Sequence, residues 1–166
     1  MARFALLSGS GNTGVTQHRQ VFGASGSDMA ALFDEMNAAL DAYAGTLQAL
    51  AVLYGLATPA AIEGDAWKRY RLGMRLNASA HRNPFAGRIA QLQARGAKFV
   101  VCNHSLQGLA IAVANGVPQV QEPVDTVLAT MRAQLVRGVT TVPAGVQAIN
   151  AAQEAGYTYL PVSLAP

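Results

Sequence analysis

Gly96-Ala-Lys-Phe-Val-Val-Cys-Asn-His-Ser-Leu106 is the stretch on which the fold turns. Lys98 to Cys102 is short, apolar and bounded by Gly96 and Asn103, which predicts a strand. A helix follows from about His104 and ends at Gly116. A strand passing directly into a helix is the opening of a βαβ unit, the building block of parallel sheets.

The same alternation runs outward in both directions. Upstream, Arg19 to Ala24 reads as a strand. Met29, Leu32, Phe33, Met36, Leu40 and Tyr43 recur at helical spacing, with Ser27 placed as N-cap and Gly45 as the stop. Leu47 to Gly55 is a continuous apolar run, the pattern of a strand buried on both faces. Asp65 to Leu76 is predicted helical, and a further helix opens at Asn83-Pro84 and ends at Gly96. Downstream, a helix follows Pro123, then a strand over Val139 to Val142. A helix over Ala144 to Ala155 and a last strand over Tyr157 to Val162 complete the chain. The expected fold is a three-layer, flavodoxin-like or Rossmann-like α/β fold with a five-stranded, mostly parallel sheet. Residues 1–17 read as an N-terminal arm and 18–166 as one domain.

The 166 residues suit a single core. Apolar residues make up 51% and charged residues 13%, which predicts that partner subunits cover some apolar surface, as in a homo-oligomer. The net charge of +3 comes without a zinc-finger spacing or a long basic run, so nucleic acid is not an expected partner. The richest apolar stretch, Leu47 to Ile62, is broken by Gly55 and Pro59, so no membrane span is expected. One cysteine makes no intrachain disulfide, which fits a reducing compartment. Cytoplasm is the expected location, with a removed export signal as the alternative.

Cys102 ends its strand just before a helix begins, and open parallel sheets bind ligands beyond the carboxyl ends of their strands. The unpaired N–H groups and dipole of a helix N-terminus favour an anion there and lower a thiol pKa. His104 is placed to donate to the thiolate or relay a proton; Asn103 and Ser105 offer further hydrogen bonds. The alternative is a buried apolar cysteine with no chemical task, the commoner fate of a lone cysteine. Cys102 and His104 alone do not make a metal site.

The 96–106 stretch resembles the segment of DsrE/DsrF-like proteins in which a strand ends in cysteine, then Asn and a helix. Arg137-Gly-Val-Thr-Thr-Val-Pro-Ala-Gly-Val146, with Gln153-Glu-Ala-Gly-Tyr157, resembles the same family's closing βαβ unit. The resemblance spans roughly residues 18 to 162. It implies a flavodoxin-like sheet, trimeric or hexameric assembly, and a cysteine that carries sulfur as a persulfide, here Cys102. The partners it implies are a sulfur donor or acceptor protein or a small sulfur species. No cofactor is expected. Relatives often carry His before the glycine ending the second strand; this chain has Tyr54-Gly55, so a phenol stands in its place.

Residues 62–84 form a long insertion holding Trp67 and Tyr70 beside Lys68, Arg71 and Arg75. Two readings stand: an amphipathic helix with a solvated basic face, or a lid or subunit contact supplying cations to an anionic sulfur species. Ser8-Gly-Ser-Gly-Asn-Thr-Gly14 after Phe4-Ala-Leu-Leu7 resembles a flavodoxin phosphate loop for FMN, but Gly23 to Ser27 cuts short the helix that should follow. An arm that is flexible or contacts another subunit is the expected role. The leading expectation is a sulfur carrier or sulfurtransferase acting through Cys102. A non-catalytic small-ligand or oligomeric scaffold protein is the alternative, since fold does not fix function.

Overall fold

The apolar run at 47–55 lies at the centre of the sheet. In the computed structural model, which describes residues 16–162, strands β1 (His18–Ala24), β2 (Leu47–Leu53), β3 (Lys98–Cys102), β4 (Thr140–Val142) and β5 (Thr158–Val162) form one sheet. Its order is β4-β3-β2-β1-β5, and every pairing is parallel. β2 thus has strands on both sides and helices over both faces, which accounts for its unalternating composition.

Among the described residues, six α-helices connect or flank the strands: α1 (Met29–Ala42), α2 (Gly64–Arg69), α3 (Ala86–Ala94), α4 (Asn103–Gly116), α5 (Val124–Ala133) and α6 (Gly145–Glu154). On one face, Phe22, Leu53, Phe99 and Val101 pack against α1, α3 and α4 in the larger core. On the other, Val21, Val52, Val100 and Val142 meet Ala148, Ile149 and Ala152 of α6. This is the three-layer α/β arrangement of flavodoxin-like and Rossmann-like folds.

Several boundaries differ from the sequence-based expectation. The N-cap of α1 is Asp28, not Ser27: its carboxylate accepts from the N–H of Ala30 and Ala31 at 3.0 and 3.2 Å. β2 stops at Leu53, and a 3-10 helix over Gly55–Ala61 follows, begun by Gly55 at φ 56°. The segment expected as one helix over 65–76 is two. Arg71 adopts φ 52°, in the left-handed region, and breaks α2 from a 3-10 helix over Leu72–Leu76. The break turns Met74 outward, while Trp67 and Tyr70 stay wholly buried. Asn83 does not open α3. Its side chain instead donates to Ala60 O and Ile62 O and accepts from Phe85 N–H, which delays the helix to Ala86. The arm and its Ser8–Gly14 loop lie outside the described residues, apart from Thr16 and Gln17.

Candidate functional site

The helices after β3 and β4 leave the sheet on opposite faces. Leu106, Leu109 and Ala110 of α4 join the larger core, whereas Ala148 and Ile149 of α6 join the smaller. A crevice opens at such a switch in open parallel sheets, beyond the strand ends. Cys102, the last residue of β3, lies at this switch and is also the N-cap of α4.

The Cys102 side chain is 5% exposed. The backbone N–H of Ser105 donates to its sulfur at 3.3 Å. Burial pushes the thiol pKa up, but the Ser105 hydroxyl and the N–H groups of Ser105, Gly145 and His104 push it down and prevail. The net result is a thiol more acidic than usual. Two of these N–H groups come from the first turn of α4 and one from the first residue of α6, so two helix N-termini converge on one sulfur. The Gly55 N–H donates to Ser105 Oγ at 3.0 Å, which leaves the Ser105 proton for the sulfur. His104 N–H also meets Pro143 O at 3.3 Å, tying the start of α4 to the turn before α6.

Tyr54 stands one residue beyond the Leu53–Val101 pair of the β2–β3 register, beside Cys102. A Cβ added to Gly145 would lie 3.0 Å from Tyr54 Cβ, so the glycine lets α6 approach the tyrosine closely. The pKa of Tyr159 is raised first by burial and then by the neighbouring Tyr54 phenol.

The structure therefore groups Cys102, Asn103, His104, Ser105 and Tyr54 at the ends of β2 and β3. The His104 ring is exposed and contributes to the sulfur only through its backbone. Asn103 Oδ1 is taken by Arg132, which donates to it from Nε and Nη2 at 3.0 and 2.6 Å. Arg75 lines a 440 Å³ cavity with His104 and Ser105. Lys68 and Arg71 are exposed and do not line that cavity. Sequence reasoning missed Gly145 and Arg132. The Pro143-Ala-Gly145 turn was a usable signal, because it starts the helix after the neighbouring strand. Arg132 carried none, since its place depends on how α5 packs on α4. Among the described residues, no three His, Cys, Asp or Glu side chains converge to hold a metal.

Fold and site together define a parallel α/β protein with an acidified thiol at its topological switch. No family model matches the chain, and no curated protein matches it. Among solved structures, it is similar to a protein of unknown function, MTH1491 from Methanobacterium thermoautotrophicum. Identity is 17%, the alignment covers 87% of this chain and 99% of the other, and the TM-score is 0.57. That likeness extends to the fold alone.

Proposed function

We propose that the protein handles sulfane sulfur, held as a persulfide on Cys102, in the manner of the DsrE/DsrF-like proteins its sequence resembles. The observation that carries this reading is the convergence of N–H groups from α4 and α6 on the Cys102 sulfur, with the Ser105 hydroxyl beside them. Such an environment favours the thiolate, which is the nucleophilic form.

In the loading step, the Cys102 thiolate attacks the outer sulfur of a donor persulfide, R–S–SH. The donor S–S bond breaks, R–S⁻ leaves, and Cys102 becomes Cys–S–SH. An acceptor thiolate then takes the outer sulfur by the same displacement and restores the Cys102 thiolate. The exchange needs no external oxidant. The chain has one cysteine, so the acceptor is another molecule or subunit. Donor and acceptor are a protein or a small sulfur species, and the working form is a trimer or hexamer in the cytoplasm.

The low exposure of Cys102 favours a second reading, a small-ligand or scaffold protein whose cysteine is structural. Alkylation of the folded protein separates the two. The sulfur reading expects iodoacetamide to react with a midpoint below the free-thiol value of about 8.5. A rate no faster than that of a free thiol, at any pH, favours the scaffold.

A further inference from the structure

Beside the thiol, at the ends of β2 and β3, lies the 440 Å³ cavity that reaches Ser105. Its volume is in the range of small-molecule sites, which are mostly apolar with a few polar groups that fix orientation. Leu56, Pro59 and Ile111 supply apolar wall; Arg75, His104 and Gln107 supply the polar part. Leu56 and Ile111 are 60% and 49% exposed, an apolar surface open to a ligand.

The charge in this cavity has one sign. No Asp or Glu lines it. Among the described residues, Arg75 and the His104 ring have no hydrogen-bond or ion-pair partner. Arg69, Arg88, Arg95 and Arg132 are engaged, with Glu122, Asp34, Asp41 and Asn103. Arg71, Arg82 and Arg137 share the unpartnered state of Arg75 among the described residues, but only Arg75 lines this cavity. Arg75 is carried on the 3-10 helix whose flanking residues, Arg71 and Asn77, both sit in the left-handed region, at φ 52° and 49°. Gly73 within that short helix lets the Ser79 carbonyl pack directly against it: an added Cβ would lie 2.2 Å from Ser79 O.

We propose that this cavity binds a small organic anion, a carboxylate or sulfonate on a short apolar chain. Its charged head meets Arg75 and His104, and its chain lies on Leu56, Pro59 and Ile111. A guanidinium without a carboxylate partner matches a planar or trigonal anionic head with two parallel N–H donors. The apolar wall selects against inorganic anions, which would leave it uncovered. The site does not depend on the sulfur reading, because no step of it involves the thiol.

The test is titration of the full chain with 1-hexanesulfonate, 1-hexanol and hexylammonium, followed by backbone amide shifts in the absence of any sulfur compound. Hexanesulfonate should shift Gly55, Ser105 and Gly108 saturably and bind more tightly than hexanol, with hexylammonium weakest. Arg75→Gln should weaken hexanesulfonate about tenfold, about 1.4 kcal/mol, and leave hexanol unchanged. Arg75→Lys should lie between, since it keeps the charge and loses the fork. Ile111→Ala should weaken hexanesulfonate and hexanol alike. Equal binding of the three compounds, an Arg75→Gln affinity equal to the parent's, or a cavity sealed by a second copy of the chain would overturn the proposal. Because no sulfur donor is present, such a result leaves the thiol chemistry to its own test.

Discussion

Gly145 and Cys102 belong to neighbouring strand–helix junctions whose helices depart on opposite faces of the sheet, and the Gly145 N–H helps hold the Cys102 thiol pKa down. A side chain at residue 145 would crowd this junction, because Tyr54 Cβ lies 3.0 Å from where a Cβ would be and would have to give way. Gly145→Val should therefore push the start of α6 away from Tyr54. Overpacking of a buried site costs about 1–3 kcal/mol. The same shift carries the Gly145 N–H away from the thiolate, so the Cys102 pKa should rise. Denaturant unfolding and pH-dependent alkylation read the two effects, and a variant unchanged in both would show that α6 does not act on the thiol.

Ser105→Ala removes the hydroxyl that bonds the sulfur and accepts from Gly55 N–H. The loss of stability should be about 0.5–1.5 kcal/mol, the usual net value of a hydrogen bond. The thiol should become less acidic, and the alkylation profile should move to higher pH. Ser105→Thr keeps the hydroxyl and should restore most of the profile.

The α/β alternation was legible in the sequence because apolar runs and glycine stops are local signals. So was Cys102 as the end of β3. What sequence could not show was set by tertiary contacts. Helical periodicity over 65–76 passes smoothly through Arg71, yet the chain turns there to bury Trp67 and Tyr70 together. Asn83-Pro84 has the form of a helix start, but the Asn83 amide is drawn to Ala60 O and Ile62 O. Asn103 looked free to bind a ligand until α5 brought Arg132 to it. The opposed departures of α4 and α6, which make the crevice, follow from strand order, and spacing along the chain does not encode that.

The 62–84 segment is core in its first half. Trp67 is wholly buried, and its indole N–H donates to Ser79 O at 2.8 Å. Trp67→Ala should destabilise by about 3–5 kcal/mol. A loss below about 1 kcal/mol, the range of ordinary surface changes, would mean that the segment is a detachable cover.

Tyr157 is buried and donates from its hydroxyl to Gln48 Oε1 at 3.3 Å. Burial raises its pKa, and the nearby Arg19 charge opposes this. A raised folded-state pKa gives a contribution that is full below the unfolded value of about 10 and is lost as pH climbs through the folded value. Tyr157→Phe should thus flatten the fall in stability in strong alkali. Urea midpoints measured across that range check the sign; an unchanged slope would mean that the phenol ionises alike in folded and unfolded chains.

The central claim is that the two helix N-termini make Cys102 a sulfur-carrying thiol. Intact mass after incubation with polysulfide tests it most directly. Additions in steps of one sulfur atom are expected, removed by a reducing thiol and absent from Cys102→Ser. An unchanged mass in the parent protein, or the same additions in Cys102→Ser, would contradict it.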